Sequence, residues 1–122
     1  MEQLCFVSAR KLAQLIRARK VSATEMVKAF VAQIERVNPK VNAIVTFLPE
    51  IALSAARKFD NKSRSGNAAS KPLAGLPIAY KDNVQTKGIR TTFGSPIYKD
   101  NVPKEDHLIV ERLTAAGAIT LG

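Results

Sequence analysis

Lys81 is the residue whose setting invites chemistry. It closes an apolar run, Leu76, Pro77, Ile78, Ala79 and Tyr80, whose start is punctuated by Gly75 and Pro77 and whose length suits a short buried strand. Asp82 and Asn83 follow at once. A cation at that point stands where a sheet opens toward a site, not on a helix face. A free ammonium is no base at neutral pH, because its ordinary pKa is about 10.4, but desolvation disfavours the charged form and can lower that value by several units. A neutral lysine then accepts a proton, directly or through a second hydroxyl, from a serine attacking an amide. From position alone, an exposed strand-end lysine is the plainer reading.

Few other residues compete. Thr91, Thr92, Gly94 and Ser95 stand in a turn-rich stretch where hydroxyls or close backbone could meet a substrate, or could simply make a connection. His107 is the single histidine and is expected as a solvated residue at a helix start, with no second ligand or carboxylate pattern beside it. Cys5 is the single cysteine; it cannot form an internal disulfide and reads as a small buried apolar residue. Neither a phosphate-binding glycine loop nor metal-ligand spacing is present, so no cofactor is expected.

The elements that must position Lys81 follow from periodicity. Ser8 can cap a helix over residues 9 to 19 that buries Leu12, Leu15 and Ile16. Ser22 and Glu25 form a capping box for a second helix whose stripe is Met26, Val27, Phe30, Val31, Ile34 and Val37. Asn38-Pro39 should end it. The β-branched residues within 41 to 47 predict a strand, and Pro49 opens a third helix to about residue 59, with Ile51, Leu53, Ala56 and Phe59 inward. Residues 60 to 71 read as a polar surface loop. After the strand ending at Lys81 and loops with Tyr98 packing on them, Asp106 should cap a helix with Leu108, Ile109 and Leu113 on its apolar side. Gly117 stops that helix and residues 118 to 121 read as a strand, half of a crossover unit.

The chain has 122 residues, 46% of them hydrophobic, a composition suited to a globular α/β core. Its closing apolar run looks like a strand just begun, which reads as the leading part of a larger domain. No run approaches the ~20 apolar residues of a membrane span, and the start lacks a signal-peptide pattern, so the cytosol is the expected compartment. The formal net charge is +9, from 19 Lys and Arg against 10 Asp and Glu. Much of the excess lies in Arg17, Arg19, Lys20 and in Lys62, Arg64, Lys71. Neither group interleaves with aromatics, so a solvated face is favoured over a nucleic-acid surface, which would be expected to bind in a salt-sensitive way.

Three pieces occur in order: PLAGLPIAYKDN, TKGIRTTFGSPIY and EDHLIVERLTAAGAITLG. They resemble the N-terminal part of the amidase signature family, with its proline- and glycine-rich strand ending in Lys-Asp-Asn, its Thr-Thr/Gly-Ser loop and its acidic residue opening a helix that closes with Ala-Gly-Ala. A looser resemblance reaches back to about residue 8. It implies an α/β fold with helices around a mixed sheet, residues 1–122 forming the incomplete N-terminal part of a single domain. It also implies hydrolysis of a linear amide through a Ser, cis-Ser, Lys triad, with Lys81 as the lysine, no cofactor and a small-molecule amide substrate.

The family's serines lie further along, one in a glycine- and serine-rich run that these residues do not contain, and the flanks of Ser95 do not match it. The 122-residue chain alone is therefore expected to be inactive. A general amidase is the preferred reading, because no partner signal is visible. The alternatives are the amidase-like component of a glutamine-dependent tRNA amidotransferase, its A subunit, which releases ammonia from glutamine for a tRNA-bound acid, and a non-catalytic basic binding fragment.

Overall fold

The computed structural model describes residues 2–65 and 70–122. After a 3₁₀ turn at Glu2–Phe6, helix α1 (Ala9–Arg17) starts at Ser8, whose hydroxyl accepts the Lys11 N–H at 3.4 Å. It stops short of residue 19 because Arg19 turns left-handed at φ 54°, so that the Arg19 and Lys20 amides donate back to Ile16 and Leu15 at 2.9 Å each. Helix α2 (Ala23–Val41) opens with the expected capping box: the Ser22 hydroxyl accepts the Glu25 N–H, and the Glu25 carboxylate accepts the Ser22 N–H.

Pro39 does not end α2. It removes one donor in the last turn, where Glu35 four residues back is exposed and water can satisfy its carbonyl, and the helix runs on to a left-handed cap at Asn42. The expected strand over 41–47 is absent for a related reason. The Asn38 side-chain amide takes both backbone groups of Ile44, donating to its carbonyl and accepting its N–H, each at 2.9 Å. A side chain has replaced the strand partner there.

Helix α3 (Pro49–Ser65) is longer than predicted, running through residues 60–65, which had read as loop; residues 66–69 of that loop lie outside the described residues. Asp60 explains the extension. From the side of α3 its carboxylate accepts the Ala23 and Thr24 N–H groups at 2.9 and 3.0 Å and the Thr24 hydroxyl at 2.5 Å. An acidic residue that looked like loop composition is thus a cap for the N-terminus of α2, supplied from 37 residues away. On the inward face of α3, Ala56 is fully buried and Leu53 and Phe59 pack against the core as expected, joined by Ala52, whereas Ile51, also expected inward, is 55% exposed.

Strands β1 (Pro77–Ile78) and β2 (Ile119–Thr120) pair in parallel, Pro77 opposite Ile119 and Ile78 opposite Thr120. Between them lies α4 (Leu108–Ala115), as a crossover requires. His107, not Asp106, caps α4: its Nδ1 accepts the Ile109 N–H at 3.2 Å, while the Asp106 carboxylate is drawn to the Lys87 N–H at 2.6 Å. Leu108 and Ile109, expected inward, are about half exposed, and Val110 is the buried residue. At its end Gly117 (φ 99°) completes a Schellman motif, with Ala118 N–H donating to Leu113 and Gly117 N–H to Thr114.

Two apolar clusters hold these elements. Ala23, Val27 and Val31 of α2 pack with Ala52 and Ala56 of α3 and with Ile119 and Leu121. Leu12, Ala13 and Ile16 of α1 pack with Met26 and Leu76. Phe30 and Phe59 contact both clusters. Gly75 (φ 71°) lets the chain enter β1 here, where a Cβ would stand 2.9 Å from that of Ala23. No helix among the described residues is long and apolar enough to cross a membrane.

Candidate active site

The ladder between β1 and β2 carries Lys81 to its place. The Ile119 N–H donates to Leu76 at 2.8 Å, Leu121 to Ile78 at 2.7 Å and Tyr80 to Gly122 at 2.9 Å, so regular pairing reaches the residue before Lys81. Residues 44–48 run along the far end of this pair, where the Leu48 N–H donates to Leu121 at 2.9 Å. Between them and the loop after β1 is a cleft of about 50 Å³ lined by Thr46, Tyr80, Lys81, Asp82, Thr91 and Thr120, among others. Lys81 is exposed. The enclosure that would strip water from its amine is not supplied by the described residues.

Asp82 fixes what lies beside the lysine. Its carboxylate accepts the Thr92 N–H at 2.8 Å and, in a very short bond, the Thr92 hydroxyl, and its own carbonyl accepts the Phe93 N–H at 2.8 Å. The turn so held contains two successive left-handed residues, Phe93 at φ 55° and Gly94 at φ 66°, closed by the Ser95 N–H on the Thr92 carbonyl at 3.0 Å. Phenylalanine is a rare occupant of that region. It is held there by the Asp82 carbonyl and by its ring against Tyr98, centroids 5.2 Å apart. Burial pushes the Asp82 carboxyl up, but the Thr92 hydroxyl and amide, the Gly94 amide and the Arg90 charge outweigh it and hold the group below its ordinary value.

The hydroxyls of this stretch face their own chain. Thr91 and Thr92 are buried, Thr91 donating to Ile89 at 3.1 Å and Thr92 to Asp82, while the Ser95 hydroxyl accepts the Ile97 N–H at 3.4 Å. They brace the turn next to Lys81. His107 is exposed and spent on its helix, and Cys5 is half-buried with its thiol donating to the Ala29 carbonyl at 3.5 Å. Among the described residues no group of His, Cys, Asp and Glu could hold a metal ion.

Two residues of the site were not singled out from the sequence. The Asp82 clamp reaches across ten positions, which no local pattern announces. Tyr80 read as one more apolar strand residue, yet its hydroxyl is buried with no hydrogen-bond partner among the described residues.

Two parallel strands joined through a crossover helix and packed against further helices place the chain in the class of helix-covered α/β proteins. Within it the assignment is specific: the chain belongs to the Amidase family, whose profile matches residues 25–122. It is 42% identical over 120 residues to the A subunit of the glutamyl-tRNA(Gln) amidotransferase of Carboxydothermus hydrogenoformans, covering 98% of this chain and 24% of that protein. It is 44% identical over 112 residues to its counterpart in Methylococcus capsulatus, covering 92% and 23%. Among solved structures, the peptide amidase of Stenotrophomonas maltophilia superposes with a TM-score of 0.84 at 29% identity over 95% of this chain and 24% of that one. A fatty acid amide hydrolase does so at 0.91 and 25% identity, over 98% and 21%. The chain thus spans about a quarter of the length of these relatives. The resemblance read from Lys-Asp-Asn and the segments after it is borne out, as is the α/β fold.

Proposed function

We propose that this chain is the N-terminal part of a single amide-cleaving domain and that Lys81 is the proton-accepting lysine of a serine-based site. The observation that carries the reading is the place of Lys81: at the end of the β1–β2 ladder, lining a cleft, next to a turn that Asp82 locks. Once neutral, Lys81 takes a proton from a bridging serine, which takes one from the nucleophilic serine as that oxygen attacks the amide carbonyl. The C–N bond breaks as the relay returns a proton to the leaving nitrogen, and water then hydrolyses the acyl-enzyme. The two serines and the enclosure of Lys81 belong to the rest of such a domain, so the 122-residue chain by itself turns nothing over. A small amide is the substrate class, without a cofactor, and the cytosol is the compartment.

A second reading concerns which amide. The curated relatives at 42% and 44% identity are the A subunits of glutamyl-tRNA(Gln) amidotransferases, a closer likeness than the 25% and 29% to the amidases of solved structure. That favours a protein of this type, releasing ammonia from glutamine, over the general amidase preferred on residues alone. The test uses the protein translated from the coding frame continued past Gly122, assayed for ammonia from glutamine and from a simple linear amide. Lys81→Ala is expected to lower both rates by roughly 10²–10⁴-fold, the usual worth of a positioned acid–base group. A rate within threefold of the parent would remove Lys81 from the mechanism. Preference for glutamine together with co-purifying partner chains supports the amidotransferase, and turnover of the simple amide without partners supports the general amidase.

A further inference from the structure

The two basic groups that stand far apart in the sequence are neighbours in the fold. The Arg19 guanidinium donates to the Ser63 carbonyl at 3.3 Å, and the Arg17 guanidinium to the Pro72 carbonyl at 3.4 Å. The end of α1 is thereby set against the C-terminal half of α3. Between them opens a cleft of roughly 610 Å³ whose lining includes Arg19, Arg57 and Arg64, the carboxylates of Glu25 and Asp60, and the apolar side chains of Ile16, Val21 and Phe59. It shares no lining residue with the cleft at Lys81.

Helix dipoles do not account for this arrangement. Arg64 stands in the last turn of α3 and Arg19 just past α1, where cations complement the negative helix end. Arg57 lies mid-helix, beyond the reach of that effect. Two carboxylates also line the cleft, Asp60 bonded to the Ala23 and Thr24 amides and Glu25 to Ser22, so three guanidinium groups stand against two negative charges. Among the described residues the Arg57 and Arg64 side chains have neither hydrogen bond nor ion pair. The three arginines exceed these carboxylates by one positive charge, and a bound anion takes up that excess.

We infer that this cleft is a binding site for a phosphate-bearing small molecule, its phosphoryl oxygens held by the guanidinium forks of Arg19, Arg57 and Arg64 and its less polar portion resting against Val21 and Phe59. Arginine suits the task because its planar donors grip two phosphate oxygens at once. The room available exceeds that of one phosphate, so a di- or triphosphate group fits the site better than the free ion.

The probe is sodium tripolyphosphate, titrated into this chain while the arginine side-chain Nε–H signals are followed by NMR at physiological salt. Saturable shifts at Arg19, Arg57 and Arg64 are expected. The double variant Arg57→Gln/Arg64→Gln should weaken binding at least tenfold, and Arg57→Lys, which keeps the charge and loses the fork, severalfold. Both positions are exposed, and an unchanged thermal midpoint without ligand shows that the fold is intact. Lys99→Gln/Lys104→Gln, on the loop before α4, should bind as the parent does. Shifts that never saturate, or equal weakening by the two double variants, would overturn the site in favour of general charge attraction. A short RNA displacing tripolyphosphate at lower phosphate concentration would overturn it in favour of a nucleic-acid surface.

Discussion

At the scale of single residues, Tyr80 and Asp82 pose opposite problems beside Lys81. A buried hydroxyl without a partner costs about 1–3 kcal/mol of desolvation that a phenyl ring avoids. Tyr80→Phe should therefore raise the stability of this chain by about 1 kcal/mol in urea denaturation; a loss of that size would mean that the hydroxyl is bonded in solution. Asp82 is bonded on every side, and its folded-state carboxyl is held below the ordinary aspartate value of about 3.9. Folding then favours the ionised form. The stabilisation is complete above that ordinary value and is lost as pH falls through the lower folded one. Glu25 acts in the same sense: the Ser22 amide and hydroxyl hold it down, burial opposes them, and Lys28 assists. Acid titration of the midpoint should show a fall beginning near pH 4, and Asp82→Asn should flatten it. An identical fall in the variant would exclude Asp82 as a source.

At the scale of elements, the Asp60 contact is the join that most depends on one side chain. Its carboxylate closes the first turn of α2, and Asp60→Ala leaves the Ala23 and Thr24 amides without that acceptor. The expected cost is about 2 kcal/mol, the upper range for a helix cap, and a cost below ~0.5 kcal/mol would mean that water replaces the carboxylate. The element order was legible wherever a pattern is local: the Ser22 and Glu25 box, the α2 stripe, Gly117 and the strand before Lys81. It was illegible where a side chain works at a distance. Asp60 read as loop because a polar composition rich in Ser, Asn and Ala carries no sign of a helix N-terminus waiting nearby. Residues 41–47 read as strand because β-branching cannot reveal that Asn38 has taken the ladder's hydrogen bonds. Asp106 and His107 exchanged roles because either side chain can cap, and the Lys87 amide decided between them.

At the scale of the whole molecule, Phe30 and Phe59 pack against both apolar clusters and join them. Phe30→Ala should cost about 3 kcal/mol, since truncating a core phenylalanine costs about 3–5 and this ring is only part-buried. It should do so in a single transition seen alike by fluorescence and circular dichroism; separated transitions would mean that the clusters fold independently. The candidate site was partly legible at this scale. Lys81 stood out through its flanks, whereas the nearness of the two basic groups required α3 to fold back beside the end of α1. The docking of α3 on α2 leaves its own trace in time. The amides of Ala23 and Thr24 find their acceptor only after 37 and 36 further positions of chain have folded back, so their hydrogen–deuterium exchange slows when α3 docks and not when α2 coils. Two backbone protons at the head of one helix thus keep a record of when another arrives.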